Sequence, residues 1–452
     1  MVSFINRDIE VDLLERTWNK DTAEFVVLYG RRRIGKTRLI VEFMKGKKGI
    51  FFVAENTSKK VQITELKRSI ASYFDDDFLM RTELEEWRGL FEYLTKIMPR
   101  NDRIYFVIDE FSYILKNDTA VTSSLQKFWD GFLSGTKVFF LVSGSLFGLM
   151  SEEVLSSASP LYGRRTRDML LAPLTFRNSL DFLNMPFIEK MKTYMCTGGV
   201  PEYLLKAVDY KGSDAFINNE FLSRDGYFYR EPYFILSQEF KAINTYFTIL
   251  NAIAHGNTRP TEIANFIGIE ARKIYPYLDN LIRLGFIERM VPVSGGRRGG
   301  IYIIKDVFFD FWFNHVYDNR ESIERGIFRA DKNKINVYFG KRFEHLVRGQ
   351  IAPMVSSFPH IGRWWHKEKE IDIVGLDPDN KKILFGECKW SDKVDAERIY
   401  NHLKEKKENV EWNIEDRREE YIVFARSFKK DFRAEDLTLV DLKKIERLLT
   451  RR

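Results

Sequence analysis

The sequence predicts an α/β protein made of several domains. Its first third contains apolar, β-branched runs that alternate with stretches of helical spacing, as in "FVVLY" followed by "RLIVEFM". Its C-terminal part holds a second set of short apolar runs, "EIDIVGLD" and "ILFGECKW", between two helical stretches. At 452 residues, the chain has room for about three domains.

The composition is that of an ordinary globular protein, with 44% hydrophobic and 30% charged residues. No run approaches the ~18 uncharged apolar residues of a membrane span, and the first residues lack the apolar core of a signal peptide, so we expect no membrane partner. The two cysteines, Cys196 and Cys388, exclude a disulfide scaffold and suit a cytoplasmic location. A net charge of +7 permits an anionic partner without requiring one.

The first strand leads into a glycine-rich loop, "GRRRIGKT", and then into a helix. Gly30, Gly35, Lys36 and Thr37 match G-x-x-x-x-G-K-[ST] in the strand–loop–helix context that this motif requires. Its backbone N–H groups can wrap phosphates, its lysine can reach the β- and γ-phosphates, and its threonine can ligate Mg²⁺. We therefore expect ATP to be bound by the following loop residues: Gly30, Arg31, Arg32, Arg33, Ile34, Gly35, Lys36, Thr37 and Arg38.

Polar side chains end the next two predicted strands. Asp109 and Glu110 follow the apolar run "IYFVI", where open α/β sheets bind their ligands. We predict that Asp109 holds Mg²⁺ with Thr37 and that Glu110 polarises the attacking water. Ser143 or Ser145, in "VSGS", either senses the γ-phosphate or belongs to a plain strand-to-loop turn.

Six segments between residues 1 and 205 occur in an order that resembles the archaeal ATPase family of AAA+-related STAND P-loop NTPases. They are "FINRDIEVDLL", "GRRRIGKT", "VIDEF", "VSGS", "PLYGRRTRDMLLAPL" and "CTGGVPEYL". The resemblance implies an αβα core with a small helical lid. It places Arg7 and Glu10 near the nucleotide, with Arg7 among the ATP-binding residues, and the turn at Gly198 and Gly199 in the lid.

The resemblance also makes Arg164 or Arg165 a catalytic candidate. Either arginine could contact the γ-phosphate in cis or act as an arginine finger in trans. The three arginines of "GRRTR" could equally form a solvated or acid-paired surface. An arginine acting in trans would require an oligomer, and the sequence leaves the oligomeric state open.

The middle of the chain reads as three helices followed by a hairpin, and it resembles a winged helix–turn–helix. We expect the helix in "TEIANFIG" to be capped by Thr261 and the next helix to be kinked at Pro276. The module either contacts DNA or has a purely structural role. The DNA-binding candidates are Arg272 and Lys273, with Tyr275, on the third helix and Arg297 and Arg298 on the hairpin tip.

The segment "DVFFDFWFNHVYDN" is dense in aromatic residues. It could present a base-stacking surface, but its helical spacing favours burial between other elements. The charged segment that follows, residues 319–340, reads as a connector to the last domain.

Near the C-terminus, Glu344, Asp372, Glu387 and Lys389 occur in the order helix, strand, next strand and the same strand. This resembles the PD-(D/E)XK nuclease superfamily, which has a restriction-endonuclease-like α/β fold, although Ile371 replaces the proline of that motif. The three carboxylates would hold Mg²⁺, and Lys389 would orient a water or steady developing charge. Cys388 should face the core, and "TLVDLKKIERLL" should form a terminal helix.

These patterns predict five segments: an ATPase core (1–178), a helical lid (179–238), a winged helix (239–318), the connector (319–340) and a nuclease-like domain (341–452). The leading hypothesis is an ATPase that uses ATP and Mg²⁺ and couples hydrolysis to DNA binding and metal-dependent DNA cleavage. The alternative is a regulatory or signalling ATPase whose last domain binds a macromolecule without cutting it. A third is a protein-remodelling ATPase with no nucleic-acid role.

Overall fold

A computed structural model describes residues 4–294, 300–430 and 432–450. The chain forms two compact units. The first comprises Met1–Pro173 with Val200–Glu202, and the second comprises Leu174–Gly199 with Tyr203–Arg452. The chain therefore leaves the first unit after Pro173 and contributes three further residues to it later in the sequence.

The first unit is built on a five-stranded sheet in the described part of the chain, and every neighbouring pair of its strands is parallel. The three central strands are apolar and buried on both faces, as is typical of parallel sheets, whereas the edge strands β2 and β5 are partly exposed. They are β1 (Glu24–Tyr29), β2 (Gly49–Val53), β3 (Tyr105–Asp109), β4 (Phe139–Gly144) and β5 (Arg167–Leu170), and their order is β2-β3-β4-β1-β5. The predicted α/β class is confirmed.

Helices cover this sheet and complete a core that includes Phe25, Trp87, Phe106 and Phe140. They are α1 (Asp8–Trp18), α2 (Lys36–Met44), α3 (Lys59–Phe74), α4 (Asp77–Arg81), α5 (Trp87–Ile97), α6 (Phe111–Asn117), α7 (Val121–Gly131) and α8 (Phe147–Met150). Because β4 lies between β1 and β3, the loops after β1 and β3 flank its carboxyl end. This is the edge of the sheet where α/β proteins bind ligands.

The second unit begins with helices and a two-stranded hairpin. The helices are α9 (Phe176–Ser179), α10 (Phe187–Thr197), α11 (Pro201–Lys206, whose first two residues belong to the first unit), α12 (Ser213–Glu220), α13 (Glu231–Glu239), α14 (Ile243–Ala254), α15 (Pro260–Ile267) and α16 (Tyr275–Arg283). Strands β6 (Ile287–Met290) and β7 (Ile301–Ile304) pair in antiparallel fashion. Three helices, α14 to α16, are thus followed by a hairpin, as the sequence predicts.

Two details of these helices differ from the prediction. Helix α15 begins at Pro260, so Thr261 is not its cap; instead, the Glu262 carboxylate accepts the backbone N–H groups of Thr258 and Arg259, each at 3.0 Å. A proline at the first helical position leaves one fewer N–H group to satisfy. Pro276 stands in the first turn of α16, after a 3₁₀ turn at Ala271–Ile274, and so starts this helix rather than kinking it.

The aromatic segment forms α17 (Val307–His315), in which Phe308, Phe311 and Trp312 are completely buried. The prediction of burial is confirmed. The segment expected to be a connector contains α18 (Arg320–Glu324) and the start of α19 (Lys332–Leu346). The helix that carries Glu344 therefore begins well before residue 341.

The C-terminal part is a mixed five-stranded sheet in the order β12-β11-β10-β9-β8, counted over the described residues. Strands β8 to β10 form an antiparallel meander, whereas β10, β11 and β12 are parallel. Its elements are α20 (Ala352–Val355), β8 (His360–His366), β9 (Lys369–Asp377), β10 (Lys382–Lys389), α21 (Ala396–Lys406), β11 (Arg418–Ala425), β12 (Leu437–Val440) and α22 (Leu442–Thr450).

The terminal segment predicted to be all helix thus begins with the edge strand β12. The buried thiol of Cys388 agrees with its predicted place in the core. Among the residues described, no helix is both long and apolar enough to cross a membrane.

Candidate nucleotide site and C-terminal carboxylate cluster

The phosphate loop joins β1 to α2, and two of its glycines are required by the backbone. Gly30 approaches Leu171 so closely that a Cβ atom would lie 2.5 Å from the Leu171 carbonyl oxygen. Gly35 is the N-cap of α2 with a φ of 92°, a conformation that L-residues avoid. Among the described residues, no N-cap side chain bonds to the start of this helix, and a helix N-terminus attracts anions. The buried Lys36 side chain donates to the carbonyl oxygens of Gly30 (2.9 Å) and Arg31 (3.0 Å).

The acids of β3 lie beside this loop. Asp109 is fully buried, and its Oδ2 accepts the Thr37 hydroxyl at 2.5 Å. Its Oδ1 accepts the Ser143 hydroxyl and, at 3.0 Å, the Glu110 N–H. Glu110 itself accepts the Ser145 hydroxyl at 2.6 Å. Thr37 and Asp109 therefore present adjacent hydroxyl and carboxylate oxygens, the donors that Mg²⁺ prefers, and this pair fits the predicted cation.

The arginines of the loop have different surroundings. Arg32 donates to the Tyr113 hydroxyl and lies over the Tyr113 ring, with 5.4 Å from the guanidinium carbon to the ring centroid. Arg33 has a φ of 67° and lies 3.5 Å from the Glu202 carboxylate. Arg31 is half-buried, Ile34 is buried and Arg38 is exposed. Residues 200–202 thus pack against the phosphate loop of the first unit.

Arg7 braces the phosphate loop from the N-terminal segment. Its buried guanidinium donates to the Ala172 carbonyl oxygen at 2.7 Å and to the Ile34 carbonyl oxygen at 3.4 Å, and it forms a 2.7 Å ion pair with Glu10. These contacts join α1, the end of β5 and the phosphate loop. Arg7 therefore lies near the predicted nucleotide site, in contact with the backbone of the loop.

Arg164 and Arg165 are not brought to the phosphate loop of the same chain. They precede β5, and Thr166 is bonded to Phe25 at the opposite end of β1 from that loop. Arg164 pairs with Asp130 at 3.0 Å, and Arg165 pairs with Asp168 at 2.6 Å. A direct cis contact with the γ-phosphate is not supported by this position. These two ion pairs agree with the other interpretation of the sequence, an acid-paired surface.

The C-terminal residues predicted to form a cluster come together around β9 and β10. The Glu387 Oε1 accepts the Lys389 ammonium at 2.7 Å, and its Oε2 accepts the Lys406 ammonium at 3.2 Å. The Asp372 Oδ2 accepts the Cys388 N–H at 2.9 Å. Lys406 was missed by the sequence prediction. The sequence did contain an indication of its position, because Lys406 continues the buried face of α21 that Ala396, Tyr400 and Leu403 form.

Burial and like charge shift the acids of this cluster. Burial raises the pKa of Glu344 to about 7, and the neighbouring Asp372 charge adds to the rise. Burial also raises the pKa of Asp372 to about 6, with a further contribution from Glu387, while the Cys388 N–H and the Lys389 and Lys406 ammonium groups oppose it. Asp372 is thus close enough to both Glu344 and Glu387 for their charges to interact.

The cluster is nevertheless not arranged as a ready metal site. Across residues 4–294, 300–430 and 432–450, no group of three or more His, Cys, Asp or Glu side chains is placed to hold a metal ion. Here the lysines occupy both oxygens of Glu387. The side chains in this conformation do not fit the Mg²⁺ that the sequence predicted for Glu344, Asp372 and Glu387.

The DNA-binding candidates lie partly outside the described residues. Arg272 and Lys273 are exposed on the 3₁₀ turn before α16, beside the half-exposed Tyr275, and Lys273 lies 3.5 Å from Glu270. Arg297 and Arg298 fall in the segment 295–299, which is not among the described residues.

Two family profiles match the chain. Residues 4–207 match an "ATPase domain predominantly from Archaea", and residues 312–399 match "Archaea bacterial proteins of unknown function". An uncharacterized protein of Methanocaldococcus jannaschii is 33% identical over 439 residues, which cover 94% of this chain and 96% of that protein. An uncharacterized ATP-binding protein of the same organism is 52% identical over 48 residues, which cover 11% of this chain and 81% of that protein.

Among solved structures, a Walker-type ATPase of Pyrococcus abyssi is similar with a TM-score of 0.53 and 21% identity. The match covers 69% of this chain and 96% of that one. At this identity, the similarity shows a shared fold. The chain belongs to the family of the 33% identical M. jannaschii protein, and in this chain an archaeal ATPase domain is followed by a domain of unknown function.

Proposed function

We propose that this protein hydrolyses Mg-ATP and couples hydrolysis to the engagement of DNA by its second unit. The proposal of ATP hydrolysis rests on the pair of acids at the end of β3. Asp109 is bonded to Thr37 of the phosphate loop, and Glu110 follows it directly. Phosphoryl transfer to water uses a residue that orients the attacking water, and an acid beside the Mg²⁺-holding Asp109 suits that role.

Each side chain of the site would have a separate role in hydrolysis. The Lys36 ammonium, which now donates to loop carbonyl oxygens, would turn to the β- and γ-phosphates. Thr37 and Asp109 would hold Mg²⁺, which when bound neutralises phosphate charge. Glu110 would orient the attacking water and accept its proton, and Ser145 would fix the Glu110 carboxylate through the 2.6 Å hydrogen bond. Ser143 orients Asp109 in the same manner.

For the second unit, we propose that α14 to α16 with the β6–β7 hairpin act as a winged helix and that the C-terminal sheet acts as a nuclease-like domain. Exposed Arg272 and Lys273 support DNA contact by the first. The adjacency of Asp372, Glu387 and Lys389 on β9 and β10 supports the second. Cleavage through Glu344, Asp372, Glu387 and Lys389 would require Glu387 to release at least one lysine.

The alternative is a regulatory ATPase whose C-terminal domain binds a macromolecule without cutting it. A specific observation favours it, namely the two ammonium groups that already neutralise Glu387. A carboxylate held in this way contributes to structure without any metal. The two candidates share the ATPase and differ only in what the last domain does.

One experiment separates these functions. The protein is incubated with plasmid and single-stranded DNA in Mg²⁺ or Mn²⁺, with and without ATP, beside Lys36→Ala and Asp372→Ala/Lys389→Ala. Cleavage lost only in the double variant indicates a nuclease independent of ATP, and loss in both variants indicates coupling. DNA binding without cleavage indicates the regulator. A protein that binds no DNA under any condition would contradict the proposed DNA engagement.

A further inference from the structure

Lys406 adds a second ammonium group to the C-terminal cluster, beside that of Lys389. Its ammonium group donates to Glu387 Oε2 at 3.2 Å, while the Lys389 ammonium donates to Glu387 Oε1 at 2.7 Å. Both oxygens of this carboxylate are therefore engaged by cations of the chain itself. Asp372 Oδ2 is engaged by a neutral donor, the Cys388 N–H.

Burial distinguishes these contacts from surface ion pairs. The Glu387 side chain is 8% exposed, that of Lys406 is 19% exposed, and that of Lys389 is 38% exposed. Charges removed from water in this way attract each other more strongly than exposed pairs do, and removing one partner leaves the other uncompensated. Lys406 is thus the more deeply buried of the two cations at Glu387.

The two lysines are held by different elements. Lys389 lies two residues from Glu387 on β10, so it moves with that strand. Lys406 comes from the last turn of α21, the helix between β10 and β11. The Lys406–Glu387 contact therefore joins α21 to β10 and is separate from the backbone pairing of β10 with β9 and β11.

A divalent cation would need the oxygens that these ammonium groups occupy, because Mg²⁺ and Mn²⁺ take carboxylate oxygens as ligands. We propose that Lys406 takes the place of the divalent cation at Glu387, so that the cluster excludes divalent metal until Lys406 is withdrawn. This inference rests on the proposed nuclease-like assignment of the cluster. It adds a form of regulation to that assignment, in which the end of α21 controls metal entry.

The test is Mn²⁺ binding to the full chain without nucleotide, measured by isothermal titration calorimetry and by the electron paramagnetic resonance of free Mn²⁺. The variants are Lys406→Met and Lys406→Gln, each with and without Asp372→Asn. Lys404→Met is the matched control, because Lys404 lies on the same helix and faces Asp436 at 3.9 Å rather than Glu387. We expect both Lys406 variants to bind Mn²⁺ at least about tenfold more tightly than the parent, because a competing charge has been removed. Asp372→Asn should abolish this gain, and Lys404→Met should behave like the parent.

Two outcomes would overturn the proposal. One is a parent protein that already binds Mn²⁺ at an Asp372-dependent site as tightly as the Lys406 variants. The other is a pair of Lys406 variants that keep the thermal unfolding transition of the parent and gain no Mn²⁺ affinity. ATP hydrolysis by the same proteins and Asp372-dependent DNA cleavage by the parent are measured in parallel. If hydrolysis or cleavage is absent, the proposed function fails on its own readout, separately from the metal titration.

Discussion

Glu110 combines an unusual backbone with a polar contact. Its φ is 54°, in the left-handed region, and it is the N-cap of α6, while its carboxylate accepts the Ser145 hydroxyl. A non-glycine residue in this region costs on the order of 1 kcal/mol or more and persists where its surroundings impose it. The sequence could predict the acid at this position from its place after an apolar strand. It could not predict the strained backbone, which depends on how α6 packs.

Arg7→Met should weaken the phosphate loop without removing any residue from it. Because the Arg7 guanidinium joins Ile34, Ala172 and Glu10, its loss leaves buried carbonyl oxygens without a donor, at a cost of roughly 1–3 kcal/mol in the free energy of unfolding. We expect a lower melting temperature and weaker ATP binding, measured by thermal unfolding and by titration with a fluorescent ATP analogue. Arg16→Met is the control, since Arg16 lies on α1, the helix that Arg7 precedes, in an exposed pair with Asp12. Equal behaviour of the two variants would show that Arg7 does not brace the loop.

Glu344→Gln should change the pH dependence of stability. The folded chain raises the pKa of this carboxyl from 4.5 to about 7, so its stabilising contribution is complete below pH ~4.5 and is lost as the pH rises through 7. The substitution should therefore raise the melting temperature at pH 8, by an amount that corresponds to about 3 kcal/mol, and have little effect at pH 4.5. Glu368→Gln, at an exposed position of the same domain, should have little effect at either pH. A destabilised Glu344→Gln at pH 8 would contradict this explanation.

At the scale of elements, local pattern predicted the central strands β1, β3 and β4 because each is an apolar run bounded by polar residues, whereas the edge strands β2 and β5 were not predicted. The carboxyl ends of β1, β3 and β4 also share an edge, as parallel pairing requires, which brings Thr37, Asp109 and Ser143 together. Helix starts and β12 were harder to predict, because they depend on neighbours distant in sequence. Strand β12 exists because β11 offers it an edge, with Val423 paired to Leu439.

One contact between elements could not be predicted from the sequence pattern. The segment after β6 docks on the edge strand β8, where the Val293 N–H donates to the Arg363 carbonyl oxygen at 3.0 Å. A Cβ atom on Gly362 would lie 2.9 Å from the Val293 Cβ, and β8 is irregular between Gly362 and Trp364. Val293 also packs against the core of the C-terminal sheet. The hairpin and the C-terminal sheet are therefore tied together.

Gly362→Val should release this contact. The added side chain would overlap Val293, and we expect a cost of roughly 1–3 kcal/mol together with faster amide exchange of Val293 and of β8. Hydrogen exchange followed by mass spectrometry measures both segments. Gly349→Ala is the control, because nothing lies within 4 Å of a Cβ built at that position. Unchanged protection of Val293 in Gly362→Val would refute the docking of this segment.

At the scale of the whole molecule, the division into units differs from a simple series of domains. Sequence motifs place "GGVPEYL" in the lid, yet Val200–Glu202 belong to the first unit, where the Glu202 N–H reaches the Arg33 carbonyl oxygen at 3.5 Å. The placement of Val200–Glu202 in the first unit depends on contacts between residues far apart in the sequence. The spacing of nearby residues does not predict such contacts. The phosphate loop thereby makes a hydrogen bond to the start of α11, and α11 continues along the chain into the second unit. The proposed coupling of ATP hydrolysis to the second unit would use this connection.

The most direct measurement is ATP hydrolysis in Mg²⁺ by Glu110→Gln beside the parent, with ATP binding titrated in parallel. We expect Glu110→Gln to bind ATP with an affinity close to that of the parent and to release phosphate at least about 100-fold more slowly, because the amide cannot accept a proton from water. Glu83→Gln, an exposed position of the same unit, should hydrolyse ATP like the parent. Phosphate release by Glu110→Gln at the parent rate would contradict the proposed role of Glu110 in hydrolysis.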